Sequence, residues 1–253
     1  MGKSGNRQVQ FKQFTVRDER CAMKVGTDAL ILGAWCEVEE ASSVLDIGSG
    51  SAIVALMLAQ RAKDAQVVAV ELEQSAFGQG CENVEQSPFF GRIQCVHQEI
   101  QEFSHDPHWQ DSFDVVVSNP PFFHGKPKSP DPSRNMARHD DTLPLYELLD
   151  SALRCMRPLG RFMLVWPAER REELFVAAES RGLNLVREMS IQGTPSHEST
   201  RFLTEWSSLC FDESEREEMS IEQGHRIDGQ VILTDRYNEL MRPYVLAIES
   251  SGA

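Results

Sequence analysis

The sequence of 253 residues lacks any apolar run of the roughly 18 residues that a membrane-spanning helix requires. Its beginning, MGKSGNRQVQ, is polar and does not contain the apolar core of a secretion signal. We therefore expect a cytoplasmic protein that has no membrane partner.

Closely spaced cysteines are also missing. The six cysteines are scattered along the chain, and no two of them have the spacing of a zinc site. A chain of this length can build a core without disulfides, and most of the cysteines lie in apolar periodic stretches. We expect free, buried thiols and no bound metal.

Positive charge is scarce, because 25 lysines and arginines face 39 acidic residues, for a net charge of −14. This balance opposes nonspecific nucleic-acid binding, which needs cationic surface. Two segments differ from the rest. Residues 1–24 hold six basic and two acidic residues, and residues 124–138 hold four basic and one acidic residue. The four cations of the second segment are Lys126, Lys128, Arg134 and Arg138. Both segments are either solvated loops or contacts for a polyanion.

Strands alternate with helices along most of the chain. Asp28 is expected to cap a helix that ends near Trp35, and helical spacing continues from Ile53 and over 74–86, 145–156 and 168–182. The predicted strands are 42–48, 66–72, 92–97, 113–118, 161–166, 183–191 and 201–211. This order predicts an α/β fold with a doubly wound, mostly parallel, seven-stranded Rossmann-like sheet and an antiparallel edge. We expect one domain over residues 11–250 after a flexible basic N-terminus at 1–10.

A glycine turn follows the first strand of this sheet, in the segment DIGSG at 46–50. Gly48 and Gly50 let a ligand approach the backbone, and Glu71 ends the next strand, where a carboxylate can accept ribose hydroxyls. A dinucleotide oxidoreductase would need glycine at position 53, where the chain has Ile53. Asp46 before a neutral turn suits a ligand with an ammonium group. The run resembles the S-adenosylmethionine motif of class I methyltransferases, although a turn without a ligand stays open.

The fourth strand leads directly into Asn119-Pro120-Pro121-Phe122. The Asn119 side chain and the Pro120 backbone each offer a carbonyl oxygen, and together these can accept both protons of a planar amino group. Phe122 can stack on the ring that carries the amine. The segment therefore predicts methylation of a planar NH2 group, with a plain loop as the alternative.

Over its length from Phe11 to Val245 the chain resembles the bacterial tRNA1(Val) adenine-N6 methyltransferase family. The matching motifs are RCAMKVGTD at 20–28, LGAW at 32–35, DIGSG at 46–50, AVELE at 69–73 and SNPP at 118–121. The resemblance implies S-adenosylmethionine as cofactor and the N6 amine of adenosine 37 in tRNA1(Val) as target.

The resemblance also implies roles for single residues. Gly26 and Thr27 match a motif at the methionine end of the cofactor, and Glu99 stands where the family has an aspartate that could accept from the cofactor's adenine amine. Arg134, Ala137 and Arg138 match a basic loop that follows the tetrapeptide. Two further departures are Ala52 in place of a common glycine and Phe122 in place of the usual tyrosine. We expect a monomer with tRNA as its partner.

Two other functions stay open on the sequence. A glutamine N5-methyltransferase acting on release factors shares the Asn-Pro-Pro tetrapeptide, because a side-chain amide presents a similar planar NH2 group. A noncatalytic RNA-binding protein with the same fold is the second alternative. The basic segments favour RNA, and intact Asn119 and Glu71 favour catalysis.

Overall fold

The computed structural model describes residues 8–121 and 143–245. Seven α-helices lie in these two ranges: α1 Thr27–Trp35, α2 Ile53–Arg61, α3 Gln74–Glu85, α4 Ile100–His105, α5 Leu145–Cys155, α6 Arg171–Glu179 and α7 Asp235–Met241. The strands are β1 Gln8–Gln10, β2 Thr15–Arg17, β3 Ser43–Ile47, β4 Gln66–Glu71, β5 Ile93–His97, β6 Phe113–Ser118, β7 Met156–Pro167, β8 Asn184–Gln192, β9 Arg201–Ser207, β10 Glu215–Ser220, β11 Glu222–Ile227 and β12 Gln230–Leu233.

The central sheet has the strand order β10-β8-β9-β7-β6-β3-β4-β5. Strands β3 to β7 are parallel to their neighbours among themselves, and β9 runs antiparallel to both β7 and β8. From β3 the chain adds β4 and β5 on one side of the sheet, and it then crosses to the other side of β3 to form β6. This reversal opens a crevice at the carboxyl ends of β3 and β6, which is where open α/β sheets bind ligands.

The predicted doubly wound, mostly parallel sheet with an antiparallel edge is confirmed, but the described sheet has eight strands instead of seven. The additional strand, β10, has the sequence EREEMS and pairs in parallel with β8. Only Met219 of this strand is buried. An edge strand that is mostly exposed has no apolar alternation, so the hydrophobic pattern did not predict it.

Apolar side chains fill both faces of the sheet. Val115 and Val117 of β6 pack into the core beneath α1 and α2, whereas Val116 between them packs into the core beneath α4, α5 and α6. Burial on both faces explains why the central strands are continuously apolar. It also fixes the register that brings the carboxyl ends of β3, β4 and β6 to one edge.

Two local predictions were wrong. Helix α1 begins at Thr27 with Gly26 as its N-cap, and no side chain caps it, so Asp28 lies inside the first turn. Strand β7 begins at Met156, directly after α5, and includes Pro158, whereas the sequence predicted a strand only from residue 161. The register of β6 and β7 shifts at this point, and the irregularity accommodates a proline within a strand.

Two antiparallel hairpins lie outside the central sheet. Strands β1 and β2 pair near the start of the chain, and β1 falls within the segment predicted to be flexible. Strands β11 and β12 pair through a turn at Asp228 and Gly229, both with positive φ. Within the described ranges, no helix is long and apolar enough to cross a membrane.

Candidate cofactor and target-base site

The glycine turn leaves β3 at the crevice of the sheet. The backbone N–H groups of Gly48 and Ser49 both donate to the carbonyl oxygen of Val70, at 2.9 and 3.0 Å, so the turn is fixed to the end of β4. Gly48 has φ +71° and Gly50 has φ +53°. A Cβ atom built at either glycine would meet nothing within 4 Å. The turn therefore presents bare backbone to open space, as close approach by a ligand requires.

Ala52 is the third residue of this region with a left-handed backbone, at φ 60°. It is the N-cap of α2 and is fully buried. A left-handed conformation costs a residue with a Cβ atom roughly 1–2 kcal/mol, and glycine avoids that cost. The geometry explains why a glycine is common at this position in the family that the sequence resembles.

Glu71 ends β4 beside the turn, as the sequence predicts. Its Oε2 accepts the Gly50 N–H at 2.7 Å, and its Oε1 accepts the Glu73 N–H at 2.8 Å. Each carboxylate oxygen has a second lone pair that these bonds do not use. Glu71 is thus held in one orientation and can accept further hydrogen bonds at the open face of the turn.

Asp46 lies beneath the turn, with 1% of its surface exposed. Its Oδ2 accepts the Ala55 N–H of α2 at 3.0 Å. Burial raises the pKa of Asp46 to about 7, the Ala55 hydrogen bond opposes this rise, and the nearby Glu71 charge adds to it. The carboxyl joins the strand to α2, and its predicted contact with an ammonium group stays a prediction.

Leu72, His97 and Glu99 follow the carboxyl ends of β4 and β5, at the same edge of the sheet as Glu71. Leu72 follows Glu71 and is 51% exposed, and the His97 ring nitrogen Nε2 lies 2.8 Å from its carbonyl oxygen. Glu99 precedes α4, and its exposed side chain makes no cap hydrogen bond. Leu72 is an exposed apolar side chain at the edge that carries Glu71, and sequence reasoning gave it no role.

Gly26 and Thr27 stand at the start of α1 and are exposed. The segment before them is folded on itself, because the Lys24 ammonium donates to the carbonyl oxygens of Asp18 and Cys21, both at 2.8 Å. Asp18 also accepts the Val25 N–H at 2.8 Å. Lys24, one of the cations that make the N-terminal segment basic, therefore has an internal structural role.

Asn119 reaches the same crevice from β6. Ser118 pairs with Ile47, the residue before Gly48, and its hydroxyl donates to the Ile47 carbonyl at 3.0 Å. The Asn119 Oδ1 atom that follows is buried and has no hydrogen-bond partner in the described part of the chain. A buried acceptor without a protein partner can accept a hydrogen bond from a ligand or a water molecule.

Pro120 is buried and Pro121 half-buried, so three of the four predicted tetrapeptide residues are described. Phe122 and the predicted RNA contacts Lys126, Lys128, Arg134 and Arg138 lie outside the described residues. The structure brings Gly48, Gly50, Glu71 and Asn119 together at the switch between β3 and β6.

These residues fit S-adenosylmethionine. The two glycines form an open cradle, the Glu71 carboxylate is oriented beside it, and the unpaired Asn119 acceptor lies across the crevice. The ribose hydroxyls of the cofactor would donate to Glu71, and the amine of the target base would donate to Asn119. Nothing in the donor set requires a metal ion.

Comparisons with known proteins identify the family of this chain. Residues 22–186 match the family model described as "Methyltransferase small domain". The curated tRNA1(Val) (adenine(37)-N6)-methyltransferase of Bacteroides thetaiotaomicron is 39% identical over 244 residues, which cover 95% of this chain and 98% of the relative. The protein of the same name from Dyadobacter fermentans is 42% identical over 186 residues, covering 74% of this chain and 76% of the relative.

Solved structures share the fold at low identity. Protein Atu636 from Agrobacterium tumefaciens, described as a predicted O-methyltransferase, matches with a TM-score of 0.65 at 17% identity, over 86% of this chain and 96% of that one. TYW2 from Pyrococcus horikoshii, in complex with MeSAdo, matches with a TM-score of 0.56 at 12% identity, over 81% and 72% of the two chains. By its sequence, the chain belongs to the tRNA1(Val) (adenine-N6)-methyltransferase family of class I S-adenosylmethionine-dependent methyltransferases.

Proposed function

We propose that this protein transfers a methyl group from S-adenosylmethionine to the N6 amine of adenosine 37 in tRNA1(Val). The observation that carries the proposal is the buried, unpaired Oδ1 of Asn119 beside the glycine turn. Full-length relatives whose names state this reaction support the choice of target.

We assign the contacts of the cofactor to residues at the crevice. Gly48 and Gly50 leave room for it above the backbone, and Glu71 accepts its ribose hydroxyls. Gly26 and Thr27 lie at its methionine end, Glu99 and the exposed Leu72 at its adenine end. Asp46, beneath the turn, supports the ammonium group when it is ionised.

The chemistry that the cofactor supplies is a methyl group made electrophilic by the sulfonium to which it is attached. Asn119 and Pro120 contribute by holding the target amine in position. Their two carbonyl oxygens accept the amine protons and draw the nitrogen lone pair out of conjugation with the ring. The bound cofactor would supply its methyl group to the amine nitrogen held by Asn119 and Pro120, and one amine proton would leave to solvent. Orientation supplies most of the rate enhancement, because no general base has to act before attack.

The acidic chain also has to bind a polyanion. The cations Lys126, Lys128, Arg134 and Arg138 follow the tetrapeptide in sequence and are the proposed phosphate contacts. We expect the enzyme to act as a monomer in the cytoplasm, as one catalytic domain over residues 11–250 after a basic N-terminus at 1–10. Each of these expectations rests on sequence.

A methylation assay tests the proposal. The protein is incubated with S-adenosylmethionine carrying a labelled methyl group and with one of three acceptors: tRNA1(Val), the same tRNA with guanosine at position 37, or a purified release factor. The proposal expects label in the first acceptor alone, recovered as N6-methyladenosine. Label in the release factor and none in tRNA would instead assign glutamine methylation. Label in none of the three would favour a noncatalytic binding protein.

A further inference from the structure

Asn83, buried on α3, joins two segments that are far apart in sequence. Its Oδ1 accepts the Arg17 N–H at 2.9 Å, and its Nδ2 donates to the Arg17 carbonyl at 2.8 Å. The same Nδ2 group donates to the Ser51 carbonyl at 2.9 Å. One side chain therefore connects the end of β2 to the residue directly after Gly50.

A second contact presses the same helix against the cofactor turn. A Cβ atom built at Gly80 would lie 2.9 Å from the Gly50 carbonyl oxygen. Because that approach is closer than real Cβ atoms make, position 80 accepts only glycine unless the turn moves. Gly80 and Asn83 lie three residues apart and face the turn together.

The N-terminal segment follows α3 beyond Asn83 towards the helix start. Gln79 Oε1 accepts the Arg20 Nε–H at 3.2 Å, and Glu82 forms an ion pair with Arg20 at 2.5 Å. The Ser75 hydroxyl donates to the Arg20 carbonyl at 3.0 Å. Four side chains of one helix thus hold residues 17–20 along its length.

Beyond Arg20 the chain continues into α1. Cys21, the next residue, is buried, and its backbone N–H donates to the Asp18 carbonyl at 3.1 Å. From Cys21 the chain folds around Lys24 and reaches Gly26 and Thr27.

We infer that Asn83 is a positioning residue of the cofactor site. It sets the distance between the glycine turn and the segment 17–27, so that Gly50 and Thr27 face one ligand. The inference rests on the proposed function, which makes these residues the cofactor site. Asn83 does not contact the reacting atoms, and it acts on binding of S-adenosylmethionine instead of on methyl transfer.

Three variants test this role. Asn83→Ala removes all three hydrogen bonds, whereas Asn83→Asp keeps an acceptor for the Arg17 N–H and loses both donors. Glu85→Gln, two positions further along α3 and exposed, is the matched control. Calorimetry gives the Kd for S-adenosylmethionine, steady-state kinetics with tRNA1(Val) give KM and kcat, and thermal unfolding gives the folded fraction at the assay temperature.

We expect the Kd and KM for S-adenosylmethionine to rise at least tenfold in both Asn83 variants, while kcat at saturating cofactor stays within about twofold of the wild type. The control should change neither. A folded Asn83→Ala protein with wild-type Kd overturns the inference. If Asn83→Ala is unfolded at the assay temperature, Arg20→Ala decides the question. This variant removes the contacts of Arg20 to the buried Gln79 and to the exposed Glu82, and it should raise KM alone. An unchanged KM in this variant overturns the inference.

Glu71→Ala is measured alongside to separate the two claims. If Glu71→Ala abolishes cofactor binding and Asn83→Ala does not weaken it, the inference fails and the proposed cofactor site stands. If Glu71→Ala also leaves the Kd unchanged, the cofactor site itself is elsewhere and the proposed function fails with it.

Discussion

The carboxylate of Glu71 accepts the backbone N–H of Gly50 at 2.7 Å and so closes the glycine turn against the neighbouring strand. This bond connects residues 21 positions apart in sequence. It orients the carboxylate before any ligand arrives. Preorganisation of this kind lowers the entropy that binding has to offset.

Replacement of Glu71 by glutamine should therefore weaken cofactor binding. Glutamine keeps one acceptor but loses the charge, and a hydrogen bond to a charged group is worth about 1.5–3 kcal/mol, or roughly a tenfold to hundredfold increase in Kd. Calorimetry with S-adenosylmethionine measures the Kd of the variant and of the wild type. Glu73→Gln is the control, because Glu73 caps α3 through the N–H groups of Ser75 and Ala76. That variant should lose some stability and keep its affinity.

The buried carboxyl of Asp46 predicts a pH-dependent stability. Its pKa rises on folding from the ordinary 3.8 to about 7, so the folded protein holds this proton more tightly than the unfolded chain does. The contribution of this group to stability is full below about pH 3.8 and is lost as pH rises through about 7. Asp46→Asn removes the titration, and its amide oxygen can still accept the Ala55 N–H.

Thermal unfolding without ligand tests this expectation. The Tm of Asp46→Asn relative to the wild type should increase between about pH 5 and about pH 8, because only the wild type then loses this contribution. A difference in Tm that is constant over this range would contradict the raised pKa.

The left-handed backbone at Ala52 predicts a strong dependence on side-chain size. Ala52→Gly relieves the strain but removes a buried methyl group worth about 0.8 kcal/mol, so the free energy of unfolding should change by less than about 1 kcal/mol. Ala52→Val adds a branched side chain in a conformation that such residues avoid, and should destabilise the protein by more than about 2 kcal/mol. Urea unfolding measures both, and equal effects would refute this explanation.

Neutralising the four cations of the 124–138 segment should weaken tRNA binding and flatten its dependence on salt. Each lost phosphate contact lowers the slope of log affinity against log salt by about 0.7–0.9, or roughly 3 for four contacts. Filter binding over a range of salt concentrations gives the slope. The control replaces four other exposed cations by glutamine: Lys63, Arg154, Arg216 and Arg242. Equal slopes in the two variants would mean that the 124–138 segment is a solvated loop that does not contact phosphates.

The parallel core of the sheet and its ligand-binding edge could be predicted because both follow from local pattern. The apolar run at β6 and the glycine turn after β3 each signal their structure within a few residues. The hairpin of β11 and β12 also had a local signal, the pair Asp228-Gly229, which the sequence reasoning did not use.

Asn83 could not have been found in this way. Its partners Arg17 and Ser51 lie 66 and 32 positions away, and a lone asparagine within a helical pattern has no feature that marks it as buried. Dependence on a distant residue also explains why the predicted capping of α1 by Asp28 was wrong. Its carboxylate lies 3.1 Å from Arg201, a partner 173 positions further along the chain, instead of capping its own helix. Tertiary contacts decided both cases.

Methyl transfer by Asn119→Ala is the measurement that tests the central claim most directly. With saturating S-adenosylmethionine and purified tRNA1(Val), kcat should fall by about two orders of magnitude or more, the scale found when one preorganised polar group is removed from an active site. The Kd for S-adenosylmethionine should stay near the wild-type value, and Asn238→Ala, an exposed asparagine on α7, should leave both quantities unchanged. Full activity in a folded Asn119→Ala protein would show that the target amine is not held by this side chain, and would contradict the account.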